Sequence, residues 1–156
     1  MSEYFNRAMK HAFLEALGLE IEERAPGEVV VRLPEVGPEH VGGAGTDALN
    51  GMVIAAIFDG ALGAALLSLL IARSETEGTD IKEIGQATIN LEISYIRLAT
   101  GSSFEVHGSV LRLGSDIAFT EGKLYDKAGS LCATANASFY IFHDRAALIA
   151  RSKASD

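Results

Sequence analysis

The sequence predicts a single α+β domain in which one long apolar helix is wrapped by an antiparallel sheet. Three observations carry this. An apolar run of helical length extends from about Asn50 to Arg73, with Asp59 as the only charge between Asp47 and Arg73. Six segments elsewhere read as strands, two before that helix and four after it. The chain has 156 residues, 48% of them apolar, which suits one domain with a sizeable core. A helix that is apolar nearly all round must be enclosed, and the enclosing material in this order of elements is sheet. An ordinary α+β sandwich, with two helices on one face, is the alternative.

The elements follow in order. Glu3 to Leu17 repeats Phe5, Met9, Phe13 and Leu17 at helical spacing, and Gly18 ends the run. Leu19–Arg24 and Glu28–Leu33 read as strands around the turn Ala25-Pro26-Gly27. Val29, Val31 and Leu33 alternate with Val30 and Arg32, as in a half-buried strand. Pro34 to Asp47 holds two prolines and four glycines and reads as a long loop, of the kind that tends to be functional or mobile. After the apolar helix, Ser74 to Asp80 is polar and breaks the pattern. Ala87–Leu98 places Ile89, Leu91, Ile93 and Tyr95 on one face, and Thr88, Asn90, Glu92 and Ser94 on the other. Ser103–Leu113, Ile117–Tyr125 and Leu131–Phe142 complete the strands, separated by polar turns. Ala133, Ala135 and Ala137 leave room for close packing on the last strand. His143 to Asp156 reads as a short fraying helix. No internal repeat or second domain is visible, so residues 1–156 form one domain.

Charge and composition narrow the function. A net charge of -8 argues against nucleic-acid binding, which needs clustered Lys and Arg. The single cysteine, Cys132, cannot pair within the chain, and no Cys/His spacing suggests a metal. Cys132 reads as a small buried strand residue, because no base stands near it in sequence. The N-terminus lacks the basic start and apolar run of a signal peptide. Met52 to Ile71 is long enough to span a bilayer, but Asp59 near its centre, the glycines Gly51, Gly60 and Gly63, and the absence of basic flanks on the N-terminal side favour a core helix. The expectation is a cytoplasmic protein with no membrane or nucleic-acid partner.

The segment Leu49-Asn-Gly-Met-Val-Ile-Ala-Ala-Ile-Phe-Asp59-Gly resembles the signature of the hotdog-fold acyl-CoA thioesterases of the PaaI and 4HBT type. Their pattern is His-Gly-Gly, several apolar residues, then an acid within the helix. Asn50 stands at the His, Gly51 at the first Gly, Met52 at the second and Asp59 at the acid. Thr88 to Arg97 and the alanine-rich Cys132 to Phe139 are similar to the family's strands, and the resemblance spans roughly residues 15–142. Three departures stand out: Asn50 replaces the His, Met52 the second Gly, and Ala44 the Asn often found some six residues earlier. The resemblance implies the hotdog fold, a sheet curled around a central helix, and hydrolysis of an acyl-CoA or related thioester. No cofactor is implied; coenzyme A enters only as part of the substrate.

The chemistry explains why these residue types matter. Water adds to a thioester carbonyl, and negative charge gathers on the carbonyl oxygen. Unpaired N–H groups and the dipole at a helix N-terminus favour that charge. Gly51, without a Cβ, lets a ligand approach its N–H, although Asn50 and Gly51 also suit a plain helix start. Asp59 is expected to be a buried carboxylate, and such groups are paired, protonated or functional. The resemblance implies that it is general base or nucleophile, and that Thr88 helps to hold the attacking water. Asn50 and Asp59 are nine residues apart, roughly 13 Å along one helix, too far to act on one carbonyl. The resemblance resolves this with an oligomer, a homodimer or homotetramer, in which one subunit supplies the glycine and its partner the acid. His40 is out of register for the motif but is a candidate substrate contact in the loop, as are Met52 and Arg97. His11, His107 and His143 have no partner pattern. A dehydratase is disfavoured, because no Asp-x-Asn-Pro-x-His motif occurs. A non-catalytic acyl-thioester-binding protein is the alternative, motivated by the loss of the motif His.

Overall fold

The computed structural model describes residues 3–10, 12–42 and 45–153, with the Leu148 side chain excepted. His11 and Ala44 therefore lie outside the described residues. Helices α1 (Glu3–Met9) and α2 (Ala12–Ala16) lead into strands β1 (Glu20–Ala25) and β2 (Glu28–Leu33). The long helix α3 (Gly51–Glu77) follows, then β3 (Gly85–Tyr95), β4 (Phe104–Leu113), β5 (Ile117–Asp126), β6 (Leu131–Phe142) and α4 (Arg145–Lys153). The six strands form one antiparallel sheet in the order β1-β2-β4-β5-β6-β3. The sheet wraps α3, which is the hotdog architecture.

The path of α3 is set by its ends and by the sheet beneath it. Asn50 has extended backbone, φ −63° and ψ 137°, and its side chain accepts the Met52 N–H. Gly78 closes the helix in the left-handed region at φ 69°, and its N–H bonds the Ser74 carbonyl. The helix continues past Arg73 to Glu77, further than the hydrophobic pattern reaches. Ser74 and Thr76 satisfy their hydroxyls on the Ile71 and Ala72 carbonyls, and Arg73 pairs with Glu77 one turn on, so polarity there does not end the helix.

Phe58, Ala61, Leu62, Ala65 and Leu66 are fully enclosed. Beneath them runs a row of cross-strand partners: Val29, Gly108, Gly122, Ala135 and Ile93. A Cβ on Gly108 would sit 3.2 Å from the Ala61 carbonyl oxygen, and one on Gly122 would sit 3.1 Å from the Phe58 ring. The small residues make the trough that lets α3 approach the sheet. Cys132, Ala133, Ala135 and Ala137 are buried, as their size suggests.

Two expectations are corrected. The N-terminal segment is not one helix to Leu17 but two short ones, α1 and α2. The break changes which residues turn inward: Phe5 and Leu14 are buried while Phe13 is 58% exposed. In β3, the register with β6 shifts between Thr88 and Asn90. Ile89 takes up this β-bulge and is exposed, and Thr88 moves to the helix-facing side with Leu91, Ile93 and Tyr95. An unbroken alternation puts Thr88 on the opposite face; one extra residue reverses it.

Candidate active site

The uncovered side of α3 carries the candidate residues. Gly51, Met52 and Asp59 are exposed, Gly60 and Gly63 are half-buried, and their neighbours Phe58, Ala61 and Leu62 are enclosed. Asp59 was expected to be buried, but in the single chain it is exposed. Met52, Asp59 and Gly63 recur on one face of α3 that the chain covers least, and Thr88 of β3 borders that face. Asp59 Oδ1 accepts a hydrogen bond from the Thr88 hydroxyl at 2.8 Å. The β-bulge makes this contact possible, because it turns Thr88 toward the helix.

At the start of α3, Asn50 Oδ1 takes the Met52 N–H at 2.9 Å. Among the described residues no acceptor takes the Gly51 N–H, the arrangement that gives a helix N-terminus its affinity for negative charge. Tyr95, at the end of β3, donates its hydroxyl to the Gly51 carbonyl at 3.1 Å. It thereby ties the helix start to the strand that also holds Asp59 through Thr88. The expected motif gives no reason to single out Tyr95; the only signal is an aromatic residue on the inner face of the strand.

His40 is buried, and both ring nitrogens are engaged inside the protein. Nδ1 accepts the Gly37 N–H at 2.8 Å, and Nε2 lies 3.1 Å from the Leu17 carbonyl. The ring thus ties the loop to the segment after α2 and leaves no free nitrogen for a substrate. Its carbonyl accepts the Asn50 N–H at 2.8 Å, so His40 serves the site by anchoring the residue that caps α3. Met52 is 76% exposed beside the helix start. Arg97, just beyond β3, is about half exposed and 3.9 Å from Asp126. Cys132 is buried, its carbonyl accepting the Ile96 and Arg97 N–H groups, and burial pushes its thiol pKa up, the opposite of what a nucleophile needs.

A cavity of about 230 Å³ is lined by Asp59, Thr88 and Gln86, with Gly60 and Gly63 on the helix and Leu14 and Phe139 at its sides. A larger one, about 400 Å³, lies at the far end of α3 around Leu70, Glu77, Ile84 and His143. It contains none of the candidate residues. The carboxylate thus lines the smaller of these two cavities.

Comparison with known proteins gives a consistent result. A family model described as the Thioesterase superfamily matches residues 47–133. A medium/long-chain acyl-CoA thioesterase, YigI of Salmonella typhimurium, is 31% identical over 136 residues, covering 83% of this chain and 84% of its own. A thioesterase family protein from Silicibacter pomeroyi superposes with a TM-score of 0.74 at 19% identity, over 88% of this chain and 95% of that one. The PaaI protein of the Escherichia coli phenylacetic acid degradation operon superposes at 0.72 with 14% identity, over 88% of each chain. The chain belongs to the thioesterase superfamily and is a thioester hydrolase built on the hotdog fold.

Proposed function

We propose that the protein hydrolyses acyl-CoA thioesters at a site shared between two subunits, with Asp59 as the base or nucleophile. The carrying observation is the Asp59 carboxylate, exposed on α3 and held by the Thr88 hydroxyl. The free Gly51 N–H at the start of a helix supplies the complementary half, a donor for the developing oxyanion. Asn50 Nδ2, with Oδ1 committed to the cap, stands beside it as a second donor in place of the motif His. Gly51 and Asp59 are eight residues apart, roughly 12 Å along one helix, so the donor and the carboxylate meet on one carbonyl only if each comes from a different chain.

The sheet edges support the pairing. At one edge, β1 is short and reads Glu-Ile-Glu-Glu-Arg-Ala, a charged edge of the kind that resists strand addition. At the other, β3 has eleven residues and a single neighbour, β6. Beside it Met52, Ile89, Tyr95, Ile96 and Leu98 are each more than half exposed. Exposed apolar side chains along a long unpaired edge suit a second copy of the chain. Pairing there covers Asp59 and brings the partner's helix start toward it. A homodimer is the smallest assembly that completes the site, and a homotetramer of such pairs is compatible with it.

The YigI relative is a medium/long-chain acyl-CoA thioesterase, and we extend that substrate class to this chain, with Arg97 and Met52 at the mouth as contacts for the coenzyme A portion. The test is thiol release from short aliphatic, long aliphatic and aromatic acyl-CoAs by wild type and Asp59→Asn. We expect hydrolysis to fall by orders of magnitude in the variant. An Asp59→Asn protein that retains wild-type rates removes Asp59 from the chemistry.

A further inference from the structure

We infer that the Gln86 side chain is a gate between the Asp59 cavity and a second cavity further along α3, which takes the far end of a longer acyl chain; this rests on the proposed hydrolysis of acyl-CoA at Asp59. The cavity beside Asp59 holds about 230 Å³, below the range of about 300–1,000 Å³ usual for small-molecule sites. A medium or long acyl chain needs more room than that. The second cavity, about 400 Å³, has Leu70, Ile84 and Ile141 in its lining. These are apolar groups of the kind a methylene chain packs against. Arg73 and Glu77, which also border it, are half exposed and paired with each other.

The two cavities lie along one cleft. Asp59 and Gly63 line the first, and Leu70, Ser74 and Glu77 line the second; this spacing puts all five on one face of α3. Across the cleft, Gln86 of β3 lines the first cavity, and Ile141 of β6, its direct cross-strand partner, lines the second. Gln86 Nε2 donates to the Gly63 carbonyl at 2.7 Å. Helix carbonyls point toward the C-terminus, so the amide reaches the turn beyond Gly63, in the direction of Leu70. Leu66 and Leu67 of α3 flank this line, roughly 100° apart around the helix, which leaves the Gln86 side chain lying across it. Gly63 admits the contact, since a Cβ there would be 3.3 Å from Nε2.

The closed position is held weakly. A carbonyl only accepts, so the Gln86 nitrogen faces Gly63 and the oxygen takes the other branch of the amide. That oxygen, Oε1, is buried and has no hydrogen-bond partner among the described residues. A buried acceptor left unpaired destabilises the arrangement that buries it. Gln86 as a whole is half-buried, so an outward turn of its side chain takes Oε1 to water and gives up one hydrogen bond in exchange. Gain and loss oppose each other, which suits a side chain that stays closed over a short acyl group and is displaced by a long one.

The experiment measures kcat/KM over a series of saturated acyl-CoAs of increasing length for wild type, Gln86→Ala, Ile84→Phe and the double variant. Gln86→Ala removes the gate, and Ile84→Phe fills the second cavity. The readout is the ratio of long-chain to short-chain kcat/KM. We expect the ratio to rise roughly tenfold in Gln86→Ala, each methylene that enters the second cavity adding up to about fourfold. It should fall by a similar factor in Ile84→Phe, and the double variant should lose the gain of Gln86→Ala. A Gln86→Ala protein whose rates change by one factor at every chain length overturns the inference and leaves Gln86 as a brace for α3. A ratio unmoved by Ile84→Phe also overturns it, because the acyl chain then does not reach the second cavity. Should Ile84→Phe not fold, Ser115→Phe, at an exposed residue lining the same cavity, replaces it; should Gln86→Ala not fold, Gln86→Ser does. Failure of the underlying reading is distinct: wild type itself would then release no thiol.

Discussion

Replacing Gly51 with proline removes the proposed oxyanion donor while sparing the fold. Gly51 is the first residue of α3, the helical position where proline is best tolerated, since its N–H has no intrahelical partner. Asn50 already has φ −63° and ψ 137°, the extended geometry that a residue before proline adopts. The added Cβ would lie 3.5 Å from the Tyr95 hydroxyl, an ordinary contact. The Asn50 cap on Met52 N–H is untouched. What is lost is one donor to the developing oxyanion, about 2.7–4 kcal/mol of barrier, or roughly a 10²–10³-fold fall in kcat. The assay is thiol release from an acyl-CoA, with thermal unfolding in parallel. The expected outcome is a large drop in kcat with little change in KM or Tm. A folded Gly51→Pro protein within a few-fold of wild-type activity refutes the assignment of that N–H.

Three further predictions concern the supporting structure. Thr88→Val frees the Asp59 carboxylate from its hydrogen bond, and kcat should fall roughly tenfold or more without loss of thermal stability. Gly122→Ala drives a methyl against the Phe58 ring, 3.1 Å away, and should cost about 1–3 kcal/mol in urea unfolding. In a double-mutant cycle, Phe58→Leu should recover part of that cost, and strict additivity of the two changes would show that no such clash exists. Cys132, buried and with its thiol pKa raised chiefly by burial, should react with a maleimide at pH 8 far more slowly than in urea-unfolded protein. Equal rates would place the thiol at the surface.

Much of the architecture is legible because the hydrophobic pattern and the packing ask for the same thing. β2 and β6 begin and end where their alternation says, at Glu28–Leu33 and Leu131–Phe142. The apolar helix is enclosed because nothing else satisfies it. What escapes the sequence is set by tertiary register. The bulge at Ile89 leaves no local signature, yet it decides that Thr88 meets Asp59. The N-terminal stripe misplaces Phe13, because periodicity assumes a helix that does not break. Asp59 was expected to be buried because every neighbour in sequence is apolar; the single chain leaves it on the side beside the β3 edge. Tyr95 and Gln86 become visible only once the strand is laid against the helix, since each acts on a backbone carbonyl far away in sequence.

The central claim is that each site takes Asp59 from one chain and the start of α3 from another, and mixing two inactive variants tests it directly. Asp59→Asn and Gly51→Pro chains are co-expressed with different tags, and the mixed dimers are purified. Every mixed dimer then has one intact site and one doubly damaged site. We expect it to recover roughly half of the wild-type rate per dimer, although each parent alone is nearly inactive. Mixed dimers no more active than either parent would contradict the shared site and place Asp59 and Gly51 in the service of different functions.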